Sequence, residues 1–540
     1  MQDPARNRGA AFSAAERDLF GLTGRLPSAV LTLEEQAERA YLQLQSAPAG
    51  LAGTIYLEHL RDSNETLYFK VLSDHPAELL PVVAGPTAGE AMPRYSCEHR
   101  GARGIYLSID RPGDIEKSFA TLGLGAGDVD VIVCTDAEEI PGIGDCGVGG
   151  IQIAAGKLAV YTGCAGIHPD RVIPVSLDVG TDNQALLNDP LYLGNRHARR
   201  RGREYDAFIG CYVEAVSRLF PSALLHFEGF GPENARKILD AYGHSHRVFN
   251  GDVQGTGVLV LAAVYAASRV TGIPMKDQTA VVCGADVTGV AIADQLRDAI
   301  VADGATEEQA RSQIWLAGTG GLLVDGMDTL RDYQRAYAKT RSGAAWPSRA
   351  GPVGLAETID NVAPTILVGT CTVPGAFTRQ VIQAMCQATS RPLILPISSP
   401  ASTMEATAAD VTAWSGAQAL LATGSAANSV EDHGTTLTSW QAHTFLAFPG
   451  LALGVIVSRA SSVTPHMLQA AAGAIAEQAD TSQPGTPLLP AVRNLRASSA
   501  MVAGAVVHAA VADGAASCNP TNISQAIRDA MWRPAYPDIG

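Results

Sequence analysis

The segment TAVVCGADVTGVAIADQLRDAI, Thr279 to Ile300, constrains the fold of this chain more than any other. A short β-prone apolar run enters a Gly-bearing turn, and a stretch with helical spacing follows at once. A strand that passes directly into a helix through glycine is the first half of a βαβ unit. SQIWLAGTGGLLV, PTILVGT and RPLILPIS add further strands downstream. The series predicts a Rossmann-like, doubly wound parallel sheet. Upstream, from about Gly104, GIYLSI, VDVIVCTD and VIPVSLDVG alternate with helical stretches such as GGIQIAAGKLAVYTGCAG and predict a separate α/β region. The first hundred or so residues read as helical. TLEEQAERAYLQLQS starts on a capping Thr32, with Glu35 and Arg39 spaced as a solvent-face pair.

A length of 540 residues allows roughly three or four domains at ~100–200 residues each. A hydrophobic share of 46% against 17% charged is that of a globular chain. The net charge of -15 opposes phosphate-backbone binding, and the one basic run, RHARRRGREYD, reads as a solvated face. Nine cysteines with no C-x-x-C pair read as reduced thiols. The first twenty residues hold no apolar signal core. Apolar runs such as GVLVLAAVYAA fall short of the ~20 residues of a membrane span. The chain is therefore expected in the cytoplasm, without nucleic-acid or membrane partners, acting on a small molecule.

The stretch HFEGFGPENARKILDAYGHSHRVFNGDVQGTG, His226 to Gly257, carries the chemistry. Glu228 sits in an apolar Phe–Glu–Gly–Phe frame, and Asp252 precedes a Gly-rich turn. Two acids placed so are candidate ligands for Mg²⁺ or Mn²⁺, which keeps several waters and needs few protein carboxylates. Gly229 and Gly251 stand next to them, where a fuller site could carry more acids. His226 and His443 are further polar candidates.

Taken with DCGVGGIQIAAGKLAVYTGCAGIHPDRVIPVSLDVGTDNQALLNDPLYLGNRHARRRGREYDAF, VPGAFT, FPGLALGV, LFGLTGRLPSAVLTLEEQAERAYLQL and NETLYFKVL, this stretch resembles the malic enzyme family over nearly the whole chain. The resemblance implies a helical N-terminal domain over 1–104, a central α/β domain over 105–250 and 445–517, a dinucleotide-type domain over 251–444, and a tail over 518–540. It implies a homodimer or homotetramer, oxidation of L-malate by NAD or NADP, and decarboxylation assisted by a divalent metal. Lys157 matches the family's catalytic lysine, and Glu228 and Asp252 match two metal carboxylates. Other positions depart from the pattern. Ala84, in AGPTAG, stands for the family's tyrosine acid, and Glu139 for the arginine that clamps malate. Gly229 and Gly251 stand for acids, and Ser399 and Thr444 for asparagines. In the cofactor turn, Gly284 and Gly289 remain, but Asp286 occupies a glycine position and Gly318 the place of the ribose-binding acid. No arginine follows Gly318 to hold a 2′-phosphate.

These departures lead to the expectation of a diverged relative. In that reading NAD or NADP binding is doubtful, and Lys157, Glu139 and His226 serve metal-assisted acid–base or decarboxylase chemistry on a molecule other than malate. The alternatives are an NAD(P)-dependent malic-type oxidative decarboxylase and an inactive scaffold or binding protein.

Overall fold

The computed structural model describes residues 3–48, 50–84, 92–98, 101, 103–340, 351–424, 430–432, 435–437, 443–480 and 487–537. Gly85–Gly89 of AGPTAG and 481–486 of the loop DTSQPGTPLLP lie outside the described residues. The chain forms two compact units, 1–223 with 525–540, and 224–524.

The first unit begins with helices. α1 (Leu33–Ser46) has a closed capping box: the Thr32 side chain accepts from the Glu35 amide, and the Glu35 carboxylate accepts from the Thr32 amide at 2.8 Å. Glu35 is thus engaged at its own helix start, not simply poised for Arg39. α2 (Leu51–Ser63) and α3 (Glu65–Asp74) follow, and Asn64 caps α3 by accepting from the Leu67 amide at 3.0 Å. α4 (Pro76–Ala84) ends at Ala84. Three parallel strands then form, β1 (Ile105–Ser108), β2 (Val131–Thr135) and β3 (Val172–Asp178), with β3 between β1 and β2. All of β2 is buried, as suits a strand covered on both faces. α5 (Ile151–Val160) is buried on nearly every side, which is why its sequence lacks a polar stripe. The C-terminal segment returns to this unit: the Trp532 amide donates to the Gly166 carbonyl at 2.7 Å, and its ring meets Phe69 edge-on at 5.8 Å.

The second unit opens with the parallel pair β4 (Leu224–Phe227) and β5 (Val248–Asn250). A wide turn, Gly251–Gly255, leads into α6 (Thr256–Thr271). Then come β6 (Ala280–Cys283), α7 (Val287–Ala302), β7 (Ile314–Gly318), β8 (Gly321–Leu322), β9 (Ile366–Gly369), β10 (Leu393–Pro396) and β11 (Leu420–Leu421). The six strands lie in the order β11-β10-β9-β6-β7-β8, with β8 antiparallel to its neighbour. Each strand anticipated from 279 onward is present. The chain steps from β6 to β7 on one side and later returns to β9 on the other. That reversal opens a crevice at the carboxyl ends of β6 and β9, where doubly wound sheets take ligands. The fold is α/β, with a helical N-terminal region and a Rossmann-like sheet.

One expectation is corrected by this fold. Gly251–Thr271 and Leu495–Ala512 are long and apolar enough to cross a membrane by length and composition, so the apolar runs do not end at eleven residues. About 67% and 50% of their apolar windows are buried within the protein, and burial accounts for their composition.

Candidate active site

In the second unit, β4 and β5 bring the acid-bearing turns side by side. His226, at the end of β4, is fully buried, and its ring meets Phe249 at 5.1 Å and Phe448 at 5.6 Å. Its Nε2 lies 2.8 Å from Glu228 Oε2, and Glu228 is only 2% exposed. Two buried groups in this contact share a hydrogen bond that holds the carboxylate in one orientation. The Gly229 amide donates to Asp252 Oδ2 at 2.8 Å. Gly229 adopts φ +69°, which an aspartate would hold only with strain. Asn250 caps the following turn, accepting from the Val253 amide at 2.8 Å. A Cβ on Gly251 would lie 2.1 Å from Glu228 Oε2 and 2.4 Å from His226 Nε2. The His226–Glu228 pair therefore occupies the space that an acid at 251 would need. This coupling was invisible in the sequence, because residues 226 and 251 are distant along the chain.

Among the described residues, no group of three or more His, Cys, Asp or Glu is placed to hold a metal. Two carboxylates, Glu228 and Asp252, could ligate only an ion that keeps water in most of its positions.

The cofactor turn is built on backbone. Gly284 has φ +132°, and a Cβ on Gly289 would lie 1.8 Å from the Gly284 carbonyl oxygen. Strand end and helix start thus meet as closely as two backbones can. Asp286 has φ −75°, ordinary for any residue, so no glycine is required there. Its carboxylate turns back onto α7 and accepts from the Gly289 amide at 2.9 Å, an N-cap bond. Gly318 ends β7 beside this turn, where the Gly284 amide donates to Ala317 at 2.8 Å. Across the crevice, the buried Glu405 accepts from the Cys371 amide at 3.0 Å and from the Ser398 hydroxyl. Cys371 is held below the usual thiol range, chiefly by a hydrogen bond from Cys283. Sequence reasoning missed Glu405, Cys283 and Cys371; a lone acid in STMEAT and scattered cysteines gave no signal. The glycine cradle, its helix N-terminus and the strand-order reversal fit a dinucleotide.

The first unit holds the other candidates. Lys157 is buried on α5. Glu139 is exposed on the loop after β2, and Ala84 ends α4. Nearby, the basic run contains a residue that its polarity concealed. Arg199 is buried, donating to Asp145 from Nε at 2.8 Å and from Nη2 at 2.9 Å, with Asp136 Oδ2 3.8 Å from Nη1. Tyr205 donates to Asp136 at 2.7 Å. The reading of this run as a solvated face holds for Arg200 and Arg201 but not for Arg199. Burial pushes the Asp136 carboxyl up to about 6, against the pull of Arg199. In the second unit, Ser399 is exposed, and His443 stacks on Phe445 at 4.9 Å just before Thr444.

Residues 61–243 match the model of the malic enzyme N-terminal domain, and residues 253–511 that of the malic enzyme NAD-binding domain. The chain belongs to the malic enzyme family. A Mycobacterium tuberculosis (strain H37Rv) protein named "Putative malate oxidoreductase [NAD]" is 59% identical, covering 99% of this chain and 98% of its own. The NAD-dependent malic enzyme 3 of Bacillus subtilis is 46% identical over 99% of this chain and 95% of its own. The malolactic enzyme of Leuconostoc mesenteroides is 39% identical over 99% and 98%. The crystal structure of Entamoeba histolytica malic enzyme shares the fold, with a TM-score of 0.58 at 19% identity over 95% of this chain and 90% of that one.

These findings overturn two expectations. The malic enzyme NAD-binding domain is present and not impaired, so doubtful nicotinamide binding does not stand. With it goes the reading of a family member repurposed away from malate. The error was to treat Asp286 as an obstacle to pyrophosphate. Its backbone is unstrained, and its carboxylate caps the helix.

Proposed function

We propose that this malic enzyme family member oxidises and decarboxylates L-malate with NAD. The observation that carries the reading is 46% identity, across almost the whole chain, to a protein named NAD-dependent malic enzyme. The glycine cradle at 284–289 supports it. NAD would supply the hydride acceptor when bound, and a Mg²⁺ or Mn²⁺ ion held by Glu228 and Asp252 would supply Lewis-acid polarisation of the substrate oxygen.

This chain's residues have the following proposed roles. Gly284 and Gly289 let backbone approach the pyrophosphate, and Gly318 leaves room beside the adenosine ribose. Glu228 and Asp252 hold the metal, and His226 keeps Glu228 oriented. Lys157, buried on α5, takes the proton from the malate hydroxyl as general base. Glu139 and Ala84 replace family groups on the malate side, and we expect a raised KM for malate in consequence. We further propose that the segments 1–104, 105–250 with 445–517, 251–444 and 518–540 act as domains. We place the protein in the cytoplasm as a homodimer or homotetramer without nucleic-acid or membrane partners.

The test is an assay of the purified chain with L-malate, NAD and Mn²⁺, following NADH absorbance and the organic product. Pyruvate with NADH is expected. Lactate without net NADH would favour a malolactic reaction, which a relative's name suggests. No turnover would reject both. Lys157→Ala should lower kcat by roughly 10²–10⁴-fold, the usual worth of a general base.

A further inference from the structure

The first unit also holds a partly open cavity of about 50 Å³. Its walls are α2, α3, α4, α5 and the segment before β1. Two polar groups on its lining, Thr54 Oγ1 and Gln152 Oε1, are buried and have no hydrogen-bond partner. Thr54 is 6% exposed. Buried atoms of this kind are usually served by protein groups, ordered water or a bound molecule. Charged groups line the same space: Arg61, Arg103 and Glu58. Arg103 meets Asp62 at 3.2 Å and Glu58 at 3.6 Å, both through Nη2. Arg61 Nε lies 3.8 Å from Glu65, beyond hydrogen-bond reach, and its guanidinium sits 5.9 Å from the Tyr68 ring centroid. Each guanidinium therefore keeps donors without a protein partner among the described residues. The lining itself holds two cations and one anion, with Asp62 and Glu65 standing beside it as partners of the same cations.

We propose that this cavity binds a small monocarboxylate whose neighbouring carbon bears a hydrogen-bond donor, either hydroxyl or ammonium. The carboxylate meets the guanidinium groups of Arg61 and Arg103. The adjacent donor satisfies Gln152 Oε1, and the Thr54 hydroxyl completes the set. Glu58 disfavours a second negative charge. The cavity has room for about three or four waters, which limits the ligand to a few heavy atoms. Gly156, on the cavity wall, immediately precedes Lys157, so an occupant touches the helix that carries the proposed base. The binding inference does not depend on the catalytic reading.

Calorimetric titration of the full chain with glycolate, glycine and acetate tests it. Saturable binding of glycolate or glycine in the millimolar range or tighter is expected, with acetate at least tenfold weaker because it lacks the second donor. Whichever of glycolate and glycine binds better identifies the donor as hydroxyl or ammonium. Thr54→Val and Arg103→Gln should each weaken binding at least tenfold, and Asp252→Asn should leave it within about twofold. Gln152→Met serves if Thr54→Val does not fold. No saturable binding of either ligand would overturn the proposal. So would equal affinity for acetate, binding indifferent to the cavity variants, or loss of binding in Asp252→Asn, which would place the ligand at the acid turn instead.

Discussion

The cofactor turn at Gly284–Gly289 and the acid turn at Glu228–Asp252 are both closed to added side chains, but by different atoms. At Gly289 the obstruction is the Gly284 carbonyl, part of the backbone that defines the turn. At Gly251 it is the side-chain pair of Glu228 and His226. Backbone cannot move without undoing the strand-to-helix junction, whereas side chains can repack. A glycine of the first kind is therefore required, and one of the second kind is coupled to its neighbours. Asp286 shows a third case, a glycine position whose geometry any residue accepts.

Substitutions can break or sharpen this distinction. Gly289→Ala should have the largest effect. Its methyl would sit 1.8 Å from backbone oxygen, and NAD affinity should fall on the order of 100-fold with a stability loss of about 3 kcal/mol. Retained affinity in a calorimetric titration would remove the backbone argument. Gly251→Asp should cost roughly 2 kcal/mol in urea unfolding, from overpacking against Glu228 and His226. Adding His226→Ala should recover at least ~0.5 kcal/mol, a coupling typical of contacting residues. Strict additivity would show that the two positions are independent.

Asp136 provides a comparison of buried charge in the first unit. Its carboxyl is raised from 3.8 to about 6 on folding, so the folded state holds a proton that the unfolded state releases. Its contribution to stability is greatest below the unfolded value and falls as pH rises through the folded one. The unfolding free energy of wild type relative to Asp136→Asn should therefore drop between pH 4 and 6, by on the order of 2 kcal/mol. A flat difference would mean that Arg199 outweighs burial. Asp286→Ala should be the mildest change: about 1 kcal/mol lost with the N-cap, and NAD affinity altered less than about threefold. A large gain in affinity would show that the carboxylate does oppose the cofactor.

Much of the fold was legible in the sequence because strands and helices carry their periods locally. The run at 279–300 became β6 and α7, and Thr32 and Glu35 became a capping box. The site was legible only in part. Glu228 and His226 are two residues apart, so the sequence could suggest both as site candidates. Their contact, and its effect on Gly251, required β4 and β5 to pair. Arg199 lay hidden in a basic run, because burial depends on Asp145 and Asp136 from another loop. The polar atoms of Thr54 and Gln152 lie on separate helices and gave no local pattern.

By itself, then, the sequence determined the elements, the α/β class and the family, since these follow from hydrophobic period, turn residues and motifs along the chain. Tertiary structure alone decided which polar groups are buried together and that the Glu228–His226 pair fills the space beside Gly251. Those properties depend on the distance between segments remote in the chain, and only packing sets that distance.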